Sequence, residues 1–245
     1  MDSLYPCRDL ILELEKGIYV PKRILFGPIE VIMFTNQSTD RRKEEERVSE
    51  EGRLPPGQSL TLKFPVLHYG PVPHFNAATW HFRVWGEVEE DVEWNWDEFN
   101  KLPRTNIEMD IHCVTRWSKF DTVWEGVSVK TLIDEGFIKV KPGATHVMQH
   151  AEYGFTVNLP IEVVLQDNFL MATHFNGEPL TPDHGYPLRG VVGHIPDRED
   201  LETPYFWKGA KWLRSLEFMT RDRRGFWEQA GYHNRADVWE EERFG

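Results

Sequence analysis

The stretch Ile111-His112-Cys113-Val114-Thr115-Arg116-Trp117-Ser118-Lys119 (IHCVTRWSK) holds one of only two cysteines in the chain. It closes an alternating run that begins upstream as NIEMDIHC, where Ile107, Met109 and Ile111 are apolar and Cys113 continues their side. Successive side chains of a strand point to opposite faces, so this alternation predicts a half-buried β-strand. The polar and aromatic residues that follow break the pattern. Cys113 is therefore expected at a strand-to-loop junction, where scaffolds present reactive groups. Arg116 and Lys119 nearby carry the charge that stabilises a thiolate. Two readings of Cys113 stay open on these residues: a small core residue, the commoner fate of a lone buried cysteine, or a thiolate that holds a ligand.

Outward from this strand the alternation recurs. LTLKFPVL alternates from Leu60, and WHFRVWGEV puts Trp80, Phe82 and Val84 on one face with His81, Arg83 and Trp85 on the other. Helices are brief: one begins at Asp97 (DEFNKL), one follows a Ser128 N-cap (SVKTLIDEGF), and one follows Pro160 (PIEVVLQD). Asn176-Gly177 reads as a tight hairpin turn, and LRGVVGH and KWLRSLEFMT as late strands. The fold class is α+β, strand-rich, with long loops. Residues 1–58 read as an accessory segment, with a helix over Arg8 to Lys16, a strand over Glu30 to Thr35, and a charged run ending at Pro55-Pro56-Gly57. Residues 59–245 read as a single domain.

Composition excludes several classes of function. The net charge of -12 opposes nucleic-acid binding, which relies on a basic surface. No run approaches the roughly 20 apolar residues of a membrane span, and the first residues lack an export signal, so a cytoplasmic protein is expected. Two cysteines, Cys7 and Cys113, are too few for a disulfide framework or a Cys-rich zinc site. A zinc hydrolase built on Cys113, His146 and His150 is the weak remnant of that idea. Neither a Gly-x-Ser-x-Gly elbow, nor a P-loop, nor a dinucleotide fingerprint is present. A second constellation is basic: His184, Arg189, Lys208, Lys211 and Arg214 are interleaved with glycine and aromatics over two late strands, a composition suited to phosphate.

Taken together, DIHCVTRWSKFDTVWEGVSVKTLI, YGFTVNLPIEVV, NGEPLTPDHGYPLRGVV, GAKWLRSLEF and the upstream HYGPVP resemble, in collinear order, the sulfite oxidase-type molybdopterin oxidoreductases. The resemblance runs from about Leu60 to Trp239 and implies that family's molybdopterin-binding fold. It implies Cys113 as the molybdenum ligand. It implies pterin contacts from His68 and Tyr69, from Tyr153, Gly154, Thr156 and Asn158, and from His184, Arg189, Lys208 and Lys211. The implied activity is two-electron oxo transfer at molybdenum on a small S-oxide, N-oxide or sulfite-like substrate, with an electron donor or acceptor as partner and Arg116 steering the substrate. The chain departs from classical sulfite oxidases after the cysteine, where Val114 to Ser118 replaces an Arg-rich segment; Trp117-Ser118 is nearer to the bacterial methionine-sulfoxide-reducing branch. A non-catalytic molybdopterin-binding protein is the alternative. The closing segment, with Trp227, Tyr232 and Trp239, is expected to pack back over the core.

Overall fold

The computed structural model describes residues 28–245, with side chains from residue 39 onward. The helix expected over Arg8 to Lys16 lies outside the described residues. The chain divides into two units, Met1–Asp40 and Arg41–Gly245.

The first element is a helix, α1 (Pro28–Glu50), and it replaces the strand expected over Glu30 to Thr35. The β-branched residues there favour a strand locally. Helix growth is cooperative, however, and the Arg-, Lys- and Glu-rich half that follows is a strong helix former, with Arg47 paired to Glu44 and Glu51 one turn away on either side. Val48, buried, packs with Leu60 and Phe120. Next come β1 (Ser59–Leu60), β2 (His81–Gly86), β3 (Val92–Asn95) and α2 (Trp96–Phe99). Then β4 (Thr105–His112) and β5 (Trp117–Val127) form an antiparallel pair, followed by α3 (Val129–Asp134), β6 (His146–Ala151), β7 (Thr156–Pro160) and α4 (Ile161–Val164). The chain ends with β8 (Phe169–Phe175), β9 (Glu178–Pro179), β10 (Arg189–Val192), β11 (Leu213–Met219) and α5 (Phe226–Gln229). Among the described residues, no helix is long and apolar enough to cross a membrane.

Local signals account for many of these boundaries. The Ser128 hydroxyl accepts from the Thr131 amide and caps α3, and the Asn95 side chain caps α2. Asn176 and Gly177 both have left-handed φ, which the tight β8–β9 hairpin requires. The run from Leu60 to Leu67 is not the expected strand. It pairs only at Ser59–Leu60, in parallel with Trp117–Ser118, and then continues as a loop. Pro65 has no amide to donate to a ladder, and Leu62, Val66 and Leu67 stay exposed.

The strands make two sheets. One runs β1-β5-β8-β10, with β4 on β5 and β9 on β8; the other runs β3-β2-β11-β6-β7. The main core contains Phe82, Val84, Leu216 and Phe218 of the second sheet with Val127, Phe169, Met171 and Val192 of the first. A second cluster, with Met109, Ile111, Trp124, Val191 and Phe206, covers the other face of the first sheet. Each such fully buried large side chain contributes about 1.5–3 kcal/mol over its exposed state, and Ile107, Met109 and Ile111 of β4 and Trp124 of β5 anchor this pair in the second cluster. The ladder between them shifts register between Met109 and Ile111, and Asp110 there exchanges backbone hydrogen bonds with His194. Cys113 follows directly, at the expected junction.

Candidate functional site

Beyond β4, four residues, Cys113 to Arg116, make the turn into β5. The Cys113 amide donates to Trp117 O at 2.8 Å, the Arg116 amide donates to Cys113 O at 3.0 Å, and Arg116 has a φ of 74°. This turn forms one side of a cavity of about 360 Å³, a volume in the range of small-molecule sites. Cys113, Val114, Thr115 and Trp117 come from the turn; Phe64, Leu67, His68 and Tyr69 come from the loop after β1. Phe206, Trp207 and Gly209 precede β11, Lys211 and Trp212 lead into it, and Trp227 and Tyr232 come from the C-terminal segment. Arg189 enters from the start of β10.

Cys113 is 6% exposed, with Sγ 3.1 Å from Thr115 Oγ1. Burial pushes its thiol pKa up, against lowering contributions from Thr115, Arg243 and Lys211. The cations that lower it come from distant parts of the chain, Arg243 and Lys211, and Arg189 is in turn raised by the cysteine. Arg116 points its guanidinium toward Gly57, and Lys119 Nζ donates to Leu62 O at 3.1 Å. The C-terminal tail and the residues leading into β11 are brought back to the turn by the fold.

Arg189 and Lys211 are the unusual charges. Arg189 is 1% exposed; Nη1 donates to His184 O at 2.9 Å, and Cζ lies 4.2 Å from the Phe206 ring centroid. Lys211 Nζ donates to Asp183 O at 2.6 Å. Burial pushes Arg189 down to about 9; burial, and then the Arg189 charge, push Lys211 down to about 7. Both have backbone carbonyls as partners in place of a carboxylate ion pair. An unpaired buried charge is costly, and an anion in the cavity would relieve both. The indole N–H groups of Trp117 and Trp207, which also line the cavity, are buried with no hydrogen-bond partner. Flat aromatic walls, orphaned donors, two cations and a soft sulfur fit a planar, phosphate-bearing cofactor with a metal at one end.

Of the residues expected at the site, His68, Tyr69, Cys113, Arg189 and Lys211 line this cavity. His68 sits edge-on to Trp212 with ring centroids 5.2 Å apart, and Tyr69 lies against Phe226. The others lie behind the wall or at the rim. His184 stacks on Phe64 at 3.9 Å and bonds its carbonyl at 3.2 Å, bracing that wall. Tyr153 is exposed with a left-handed φ of 57°, and Thr156 begins β7 opposite His150. Asn158 and Lys208 are consumed by a buried network: Lys208 Nζ donates to Glu228 at 2.6 Å, to Asn234 O at 2.7 Å and to Asn158 at 3.2 Å. Asn158 donates in turn to Asp222 and Asn234. This network anchors the segment that carries Trp227 and Tyr232.

The zinc constellation does not assemble. Among the described residues no group of three or more His, Cys, Asp or Glu is placed to hold a metal ion, and His150 instead bonds Glu217 at 2.9 Å. Sequence reasoning missed Gln58, Glu228 and Arg243. None carries a local motif; each matters through a partner at least 20 residues away.

A family model described as the oxidoreductase molybdopterin binding domain matches residues 69–227. The chain is 43% identical over 196 residues to the uncharacterized oxidoreductase YuiH of Bacillus subtilis, an alignment that covers 80% of this chain and 93% of that one. It is 23% identical over 181 residues to YedZ1 of Azospira oryzae, whose name marks it as a candidate protein-methionine-sulfoxide reductase subunit, covering 73% of this chain and 64% of that one. An NADH nitrate reductase of Solanum lycopersicum is 23% identical over 193 residues, and the match spans only 20% of its length. Among solved structures, the sulfane dehydrogenase SoxCD from Paracoccus pantotrophus shares the fold, with a TM-score of 0.53 and 20% identity over 64% of this chain and 42% of that one.

Proposed function

The chain belongs to the molybdopterin-binding oxidoreductase family, and from that premise we propose that Cys113 is the molybdenum ligand of an enzyme acting on a small S-oxide, N-oxide or sulfite-like substrate. The observation that carries this reading is the placement of the thiol in one cavity with two cations, Arg189 buried and Lys211 half-buried, that have backbone carbonyls in place of carboxylate partners among the described residues. When bound, the molybdenum centre supplies two-electron oxo transfer. The protein supplies the rest.

Arg189 and Lys211 would hold the pterin phosphate through charge-assisted bonds. The rings of His68, Trp207, Trp212 and Trp227 line the cavity and would keep bulk water from the pterin, and the Trp207 indole N–H would offer it a donor. Cys113, as a thiolate, would hold the molybdenum at the turn end of the cavity. Trp117 and Thr115 shape the space beside it. Arg116 contributes charge from outside the lining. A separate electron donor or acceptor would be the partner of such a centre.

The test is elemental and pterin analysis of protein from a molybdate-supplied host, with reduced-viologen oxidation measured against S-oxides and N-oxides, beside a Cys113→Ser variant. Near-stoichiometric molybdenum in the wild type, lost or spectroscopically altered in the variant, supports the reading. Wild-type protein devoid of both molybdenum and fluorescent pterin rejects it. Metal-loaded protein inert toward every oxo substrate and dye would leave a cofactor-binding protein without turnover.

A further inference from the structure

The turn that carries Cys113 is gripped from outside the span the family model matches. On one side, Gln58 Nε2 donates to Cys113 O at 3.1 Å. On the other, Arg243 Nη1 donates to Val114 O at 2.6 Å. Residue 58 precedes the matched residues 69–227 and residue 243 follows them. Two successive carbonyls, belonging to the two peptide planes that flank Val114, are each held by one side chain from each flank.

Both grips are themselves anchored. Ser118 Oγ donates to Gln58 Oε1 at 3.5 Å and lies 2.8 Å from His112 Nδ1. A hydrogen-bonded chain runs from His112 through Ser118 and Gln58 back to the carbonyl of the next residue, Cys113. Arg243 is 7% exposed, with Cζ 5.0 Å from the Tyr205 ring centroid. Ser59 closes the turn, donating from its amide to Arg116 O at 3.1 Å. The turn needs such support, since Arg116 occupies a left-handed conformation that side-chain-bearing residues disfavour.

We propose that Gln58 and Arg243 are positioning residues for the Cys113 thiolate, fixing the peptide planes on either side of Val114 and with them the direction in which Sγ enters the cavity. The inference rests on the reading of Cys113 as the molybdenum ligand. Partners beyond the ligand shell orient a ligating side chain and tune its donation to the metal. Here they come from the end of the N-terminal segment and from the C-terminal tail, to which the matched domain assigns no part.

The experiment compares wild-type holoenzyme with Gln58→Leu and Arg243→Met, and with Arg243→Lys as the conservative rescue. The readouts are melting temperature, molybdenum retained on dialysis against a chelator, the g-values of the Mo(V) state, and the thiolate-to-metal charge-transfer absorption. Folded variants are expected to show shifted g-values and absorption and metal retention weaker by about 10–100-fold, with Arg243→Lys partly restored. Folded, loaded variants with spectra superimposable on the wild type overturn the proposal. Should Gln58→Leu fail to fold, Gln58→Asn, which withdraws the amide by one methylene, decides by the same comparison. Molybdenum-free wild type would reject the ligand reading separately; positioning is then read from the rate of Cys113 alkylation by iodoacetamide in a Cys7→Ser background. A several-fold change in Gln58→Leu supports it, and equal rates refute it.

Discussion

Replacing Glu228 by leucine tests the buried network behind the cavity wall. Both side chains of the Lys208–Glu228 pair are fully buried, and their charged atoms lie 2.6 Å apart. Burial pushes Lys208 down and Glu228 up, so each ion persists because the other is present. Glu228→Leu leaves the ammonium with only Asn158 Oδ1 and Asn234 O. Removing one partner of such a pair costs about 3–5 kcal/mol. For a domain of this size that is a melting-temperature loss of roughly 6–20 °C. The double variant Lys208→Met/Glu228→Leu removes both charges at similar volume and is expected to recover most of it. Urea unfolding, followed by tryptophan fluorescence on the wild type, both single variants and the double, measures the coupling. A double variant whose loss equals the sum of the two singles refutes the reasoning. So does a Glu228→Leu loss below about 1 kcal/mol, the size of an exposed pair. Because Asn234 and Glu228 flank Tyr232 and Trp227, Glu228→Leu is also expected to weaken cofactor retention.

Three further outcomes are expected. Lys211 is pushed from 10.5 to about 7 in the folded protein, so the unfolded chain binds more protons between those values. Cofactor-free protein should therefore gain stability as pH rises from about 7 toward 10.5. Inorganic phosphate should flatten that rise, and thermal melts showing no pH dependence would contradict it. Arg53 donates to the fully buried Asp110 through Nε at 2.9 Å and Nη2 at 2.6 Å. Arg53→Met leaves that carboxylate with the Asp121 amide but no counter-ion and should cost about 3–5 kcal/mol in urea unfolding; a loss near zero would show that water reaches Asp110. Gly209→Ala would press a Cβ into the Gly190 carbonyl oxygen. Backbone cannot swing away as a side chain does, so a loss of about 1–3 kcal/mol or more is expected, with lower cofactor occupancy as the second readout.

What is local was legible in the sequence. The two-residue period exposed the strands ending at Gly86 and His112, because a strand's faces are set by its own neighbours. Ser128 and Asn176-Gly177 marked a cap and a turn, because capping and left-handed φ act within a few residues. Cys113 stood out at its junction, and Arg189 and Lys211 stood out as cations in an acidic chain. Where the local signal conflicted with a distant one, the sequence misled. Residues 30–35 favour a strand but continue a helix grown from the charged run, and residues 61–67 alternate without finding a ladder.

The division of labour among the basic residues was invisible in one dimension. Lys208 and Lys211 are three apart, yet one is neutralised by Glu228 and the other faces the cavity. Arg116 is three residues from Cys113 and turns away, while Arg243, 130 positions along, holds the same turn. Composition and spacing determined the kind of chemistry this chain can do. Only tertiary structure decided which charges are left without a counter-ion, because desolvation and pairing depend on what the fold brings within a few ångströms, whatever its distance along the chain.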